Sequence, residues 1–151
     1  MSGIIGGAGS KSGVIGTTEL DYEEGTWDAT YTGASATGTA GGRTGRYTKI
    51  GNVVVAYVSL YSASTVSGTW TGQLRVSGFP FTFLEYGICG ITSGSWATDN
   101  APQRGFGYSN QTYMGLLKHA SADARNNNMT DVDSSALAQY DQVYLTVTYY
   151  V

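Results

Sequence analysis

The chain has 151 residues and 41% hydrophobic content, enough for one domain with a real core and too much for a wholly disordered chain. Charged residues make up only 13%, against roughly 25% in ordinary soluble domains, and the net charge of −3 with no basic run argues against a nucleic-acid partner. No apolar stretch reaches the roughly 18 residues of a spanning helix, so no membrane insertion is expected, and the N-terminus lacks a signal peptide's basic start and long apolar core. Glycine is abundant (22), tyrosine frequent (12) and proline scarce (2), which is the composition of strands and turns. Such a low-charge surface suits a protein that covers part of itself with copies or partners. The single cysteine, Cys89, excludes an intrachain disulfide, and the single histidine, His119, excludes a zinc site with two histidine ligands. No cofactor is expected.

Residues 1–20 read as a glycine-rich N-terminal arm. Ser2-Gly3-Ile4-Ile5-Gly6 recurs as Ser12-Gly13-Val14-Ile15-Gly16. Glycine-rich backbone is costly to order, but the pairs Ile4-Ile5 and Val14-Ile15 offer apolar contacts. The arm therefore reads as an anchor that orders against other subunits or a larger particle, with a disordered tail as the plainer alternative. Glu19, Asp21, Glu23 and Glu24 follow as an acidic cluster. Carboxylates can bind a hard cation or act as acid and base, but glycoside hydrolysis needs two of them fixed across a cleft. A solvated acidic hinge is the expected role.

Trp27, Ala29 and Tyr31 alternate with polar residues and predict a half-buried first strand. Residues 33–45 are small and read as a loop carrying Arg43. Arg46–Ile50 and Val53–Tyr61 predict two strands joined at Gly51-Asn52, a pair that tolerates a tight hairpin turn. The second strand is apolar on both faces, so it should be covered on both: by the core, and by a second sheet or a neighbouring subunit. Ser62–Thr69 is a polar connection. Trp70, Gly72, Leu74 and Val76 mark one face of the next strand, which Gly78-Phe79-Pro80-Phe81 ends because Pro80 cannot donate to a ladder.

Leu84–Thr92 predicts a further strand, with Cys89 a buried, inert thiol. Residues 93–111 are less regular, a long loop or two loops around a short strand. They mix aromatic rings with Asn, Gln, Asp and Arg. Rings stack on sugar faces while amides and charges read hydroxyls, which makes Trp96, Arg104, Phe106 and Tyr108 candidate binding residues. The same rings serve equally well as caps of the core or of a subunit interface. Tyr113–His119 predicts a short strand, and no Gly-x-Ser-x-Gly elbow accompanies His119. Ala120–Gln139 is polar and does not match an EF-hand loop. Ser134–Tyr140 has room for one helical turn. Gln142–Val151 shows the cleanest alternation in the chain and predicts the last strand.

Three phrases carry a resemblance: Asp21-Tyr22-Glu23-Glu24-Gly25-Thr26-Trp27; Tyr47-Thr48-Lys49-Ile50-Gly51-Asn52-Val53-Val54; and Leu74-Arg75-Val76-Ser77-Gly78-Phe79-Pro80-Phe81. In this order they resemble a module of bacteriophage tail-fibre and related virion proteins, over residues 17–151. The resemblance implies a β-rich, oligomeric protein, often trimeric, exposed on the virion and involved in host attachment.

About seven or eight short strands with polar connections point to an all-β fold, an antiparallel jelly-roll-like β-sandwich over residues 21–151. The expected function is a tail-fibre-tip-like virion surface protein contributing to host attachment. The alternative is a structural capsid decoration or head-fibre protein, anchored through Ile4, Ile5, Val14 and Ile15. Expected partners are copies of itself in a homotrimer, other virion proteins and a host-surface glycan. The acids are too few and scattered for a polysaccharide depolymerase, so no enzyme is expected. The expected location is the virion, after synthesis in the host cytoplasm.

Overall fold

The computed structural model describes residues 21–36, 40–63, 65–97, 99–119 and 129–151. The anchor candidates Ile4, Ile5, Val14 and Ile15 lie outside the described residues. Nine strands follow in chain order: β1 (Tyr22–Ala36), β2 (Gly42–Ile50), β3 (Val53–Tyr61), β4 (Trp70–Ser77), β5 (Gly87–Gly94), β6 (Arg104–Gly107), β7 (Tyr113–His119), β8 (Met129–Asp131) and β9 (Gln142–Tyr150). All pair antiparallel, in the order β4-β1-β2-β3-β9-β5-β6-β7, and β4 then pairs back onto β7. The ring of eight strands is closed. β8 is an extra strand on the part of β7 that β4 does not reach, and Val132 bridges the gap by bonding Leu74 on one side and Leu116 on the other.

The fold is therefore a closed antiparallel β-barrel and not the expected jelly-roll-like sandwich. A sandwich keeps two sheets with free edges, whereas here the would-be edge strands satisfy each other's backbone groups. Period-two alternation reports that one face is buried. It does not report whether the wall is flat or curled onto itself, so the two architectures read alike in sequence. Of the two covers expected for the second apolar face of β3, a second sheet is absent among the described residues, and Val55 and Tyr57 stand on the outside of the barrel, about half exposed. Three smaller expectations also change. The acidic cluster is not a hinge from Tyr22 onward, because β1 already runs there. Residues 33–45 are mostly strand, with Arg43 inside β2. The strand expected from Leu84 begins only at Gly87.

The hairpin at Gly51-Asn52 forms as expected, with Ile50 paired to Val53. Gly51 has φ +58° while Asn52 stays at ordinary φ, so only the first turn position needs glycine, the type II′ pattern. Inward side chains fill the lumen: Trp27, Ala29 and Tyr31 from β1, and Val54, Ala56, Val58 and Leu60 from β3. Leu74 and Val76, Met114 and Leu116, and Val143 through Tyr149 complete it. A barrel of eight strands has an interior just wide enough for such filling. Glycines on neighbouring strands make room for the largest side chains. A Cβ on Gly45 would lie 2.3 Å from the Trp27 indole nitrogen, and one on Gly107 would lie 2.6 Å from the Phe83 ring.

Both ends are plugged. At one, Gly78–Phe83 folds across the opening; Phe79 stacks on Trp27 with ring centres 4.5 Å apart, and Phe83 stacks on Tyr149 at 4.2 Å. The Gly78 and Phe79 N–H groups donate to Thr112 O, and the Tyr149 hydroxyl donates to Phe81 O. At the other end Ser62 and Asp141 tie the mouth. The Ser62 hydroxyl donates to Ala138 O and accepts from the Asp141 N–H, while Asp141 Oδ2 accepts from the Ala138 N–H. Asp141 is 1% exposed, and its Oδ1 has no partner among the described residues. Burial pushes its carboxyl above the usual range, against the opposing bond from Ala138.

Two predictions follow from this packing. Gly45→Ala should cost about 1–3 kcal/mol in urea denaturation by overpacking against Trp27. Gly90→Ala, with nothing within 4 Å of the added methyl, should stay within about 0.5 kcal/mol. The second concerns pH. A carboxyl with a raised folded-state pKa binds more protons folded than unfolded between the two values. Its contribution is full below the unfolded value and is lost as pH rises through the folded one. Asp133, held below its ordinary 3.8 by bonds from Ser135, acts only below that value. Stability should therefore rise as pH falls from neutrality toward about 4, and Asp141→Asn should remove that rise. An unchanged slope in the variant would show that Asp141 is not its source.

Candidate functional site

With the lumen filled and both mouths closed, the chemistry available to a partner lies on the outside. A shallow opening of about 250 Å³ beside one end is lined by Val66, Gly68, Trp70, Ser134, Ser135 and Leu137, none of them titratable. The functional groups concentrate instead on the outer wall of β5, β6, β7 and β4. One cross-strand row there reads Ile88, Phe106, Gly115, Arg75. Around it runs a chain of rings. Tyr86 stacks on Phe106 at 5.4 Å, Phe106 meets Tyr108 edge-on at 5.1 Å, and Tyr108 lies 5.6 Å from Tyr113. The Arg75 guanidinium caps the strip, 4.3 Å above the Tyr113 ring.

A β-bulge supplies the polar floor. Opposite Ala34, β4 carries two residues, Gly72 and Gln73, because Gly33 pairs with Leu74 and Ser35 with Thr71. Gly72 takes φ +76° to allow it. Leu74 points inward, and Gln73 lies on the outer wall. Gln73 lies across Gly115, where a Cβ would come within 2.4 Å of its amide. Its amide nitrogen donates to the Tyr108 hydroxyl and to Asp131 Oδ1, both at 2.7 Å, and its carbonyl accepts from Arg75 Nε at 3.3 Å. Every polar group of this mostly buried glutamine is used, so it fixes Tyr108, Asp131 and Arg75 relative to one another.

The four residues singled out by sequence divide. Phe106 and Tyr108 touch within the strip. Arg104 shares the outer face of β6 with Phe106, exposed and without a hydrogen-bond or ion-pair partner among the described residues. Trp96 lies elsewhere: its indole N–H donates to Gln142 O at 2.8 Å and its ring meets Tyr31 edge-on at 6.4 Å, where it caps a barrel end. Tyr86, Tyr113, Gln73 and Arg75 belong to the strip but escaped sequence reasoning, because only strand register brings them beside Phe106. Of the early acids, Glu19 lies outside the described residues, and the others are engaged: Asp21 by Lys49, Glu23 by Tyr47, Glu24 by Tyr22. Among the described residues no three His, Cys, Asp or Glu side chains group as metal ligands. The arrangement offers ring faces, a fixed amide and two guanidinium groups, which is equipment for binding.

Comparison of the chain with protein-family models, curated proteins and solved structures gives no match.

Beneath the strip lie Cys89 and Met114, with sulfur atoms 3.4 Å apart. Burial pushes the Cys89 thiol up to about 11, against a bond from the Gly105 backbone. A neutral, buried thiol is a poor nucleophile. Ellman's reagent at mildly alkaline pH should therefore leave the native protein unlabelled and titrate one thiol in denaturant. Fast native labelling would mean that the wall under the strip opens.

Proposed function

We propose that the chain is a bacteriophage virion surface protein, tail-fibre-tip-like, that contributes to host attachment by binding a cell-surface glycan. The observation that carries this reading is the ring strip from Tyr86 to Tyr113, fastened by Gln73 and capped by Arg75. Sugar recognition uses flat apolar faces for ring stacking and a few fixed polar groups for hydroxyls, and the strip supplies both. Rigid rings lose little entropy on binding, and the strip is already assembled in the free chain. The tail-fibre-like phrases around Tyr22, Tyr47 and Leu74 support the virion assignment. They build the start of β1, the β2–β3 hairpin, the end of β4 and most of the Gly78–Phe83 plug, and of the strip they contain only Arg75. The role is one of binding, with no cofactor.

The test is binding of labelled protein to host cells and to their isolated surface polysaccharide. The double variant Tyr86→Ala, Phe106→Ala should fold, as judged by circular dichroism, and weaken binding by about tenfold or more. Wild-type binding by the variant would sink the reading. So would particle images that place the protein over the capsid lattice and not at the tail tip, which would favour a decoration protein.

A further inference from the structure

The other half of the barrel has an outer wall of a different kind. Tyr22 pairs with Ile50, Ile50 with Val53, and Val53 with Tyr150, so four apolar residues line up across β1, β2, β3 and β9. The next rows place Val55 between Thr48 and Thr148, and Tyr57 between Arg46 and Thr146. Tyr22, Ile50, Val55, Tyr57 and Tyr150 are 42–54% exposed. An antiparallel wall that faces water normally turns polar residues outward, and β3 does the reverse. Contiguous exposure of this kind marks an interaction surface.

We propose that this β1–β2–β3–β9 wall is the face through which the chain associates with a second copy of itself. The charges on the wall point to a copy and not to a partner of opposite sign. Its outward charged groups include Glu24 and Asp28 on β1 and Arg46 on β2, all exposed, while Arg43 lies over the Tyr61 ring at one end. Neither Arg46 nor Asp28 has an ion-pair partner among the described residues. The wall thus holds both halves of an intermolecular ion pair, and a second copy brings the complement to each. It carries no basic cluster that would suit nucleic acid or an anionic membrane. Four strands of this length cover on the order of 600 Å², close to the roughly 800 Å² per partner of a stable interface. The aromatic strip lies on the remaining strands, so pairing through this wall leaves it uncovered.

The experiment is sedimentation velocity on the full-length protein over a wide concentration range. The wild type should sediment as a concentration-dependent oligomer. Val55→Lys and Tyr57→Glu should each raise the dissociation constant by about tenfold or more, whereas Ile88→Glu on the opposite wall should not. Circular dichroism checks that each variant folds. Arg46→Asp should weaken association, and adding Asp28→Arg should restore it. A wild type that stays monomeric throughout overturns the proposal, whether the wall is bare or covered by residues 1–20. An oligomer that survives both β3 substitutions overturns it as well, because the contact then lies elsewhere.

Discussion

The pairing of β4 with β7 is the constraint on which the rest depends. It is short, with Arg75 opposite Gly115, Val76 opposite Met114 and Ser77 opposite Tyr113. Yet it turns an open sheet into a ring and leaves neither strand with a free edge there. Closure sets the interior volume, and the volume decides which inward positions take rings and which take glycine. It also decides the site: Arg75 and Tyr113 come from the two strands that meet at this seam, and Phe106 stands one strand further on. The Arg75 cap and the Gln73 bond to Tyr108 therefore exist only in the closed barrel.

The interior shows how little slack that closure leaves. Gly45, Gly105 and Gly107 sit where an added methyl would meet Trp27, Met114 or Phe83 at less than 3 Å. Size is compensated across strands, large against absent, as dense packing requires. The two plugs differ in chemistry. The Phe79 and Phe83 end is closed chiefly by ring stacking. The Ser62 and Asp141 end is closed by short polar bonds and leaves one buried carboxylate oxygen without a partner among the described residues. A buried carboxylate held by few donors is stabilised by protonation, so this end couples the fold to acidity while the other does not.

Much of the scaffold was legible in the sequence. Trp27-Ala29-Tyr31, Val54 through Leu60 and Val143 through Tyr149 alternate so regularly that strand and inward face follow directly. Gly51-Asn52 marked a tight hairpin. Closure was not legible, because nothing in Leu74-Arg75-Val76 announces a partner near Met114. The bulge at Gly72-Gln73 was hidden for a related reason. Read as plain alternation, Gly72 belongs to the buried set and Gln73 to the exposed one; Gln73 does lie on the outer wall, but Tyr108, Asp131 and Arg75 cover it there. Of the strip, Phe106 and Tyr108 could be named from local composition. Tyr86, Tyr113 and Arg75 could not, since their closeness is a property of register. Trp96 shows the converse: an aromatic residue in a polar loop has the same local signature whether it faces a ligand or caps a core.

The two outer walls suggest how the proposed roles depend on one another. A strip of rings with a fixed amide and two guanidinium groups is open to water on its outer side and encloses nothing. It can cover one face of a sugar but not surround it, so a single strip gives weak binding. Attachment to a cell surface needs more, and the economical source is repetition. Copies held together present several strips to a repeating glycan, and each further contact becomes intramolecular, with a high effective concentration. That gain requires the copies to associate through a surface other than the strip. The barrel meets this condition by geometry: its strands divide into a half with Tyr22, Ile50, Val53 and Tyr150 outward and a half with Phe106, Arg104 and Arg75 outward. Placing the two on opposite sides of one rigid, plugged barrel keeps the binding faces outermost in any assembly built through the apolar wall.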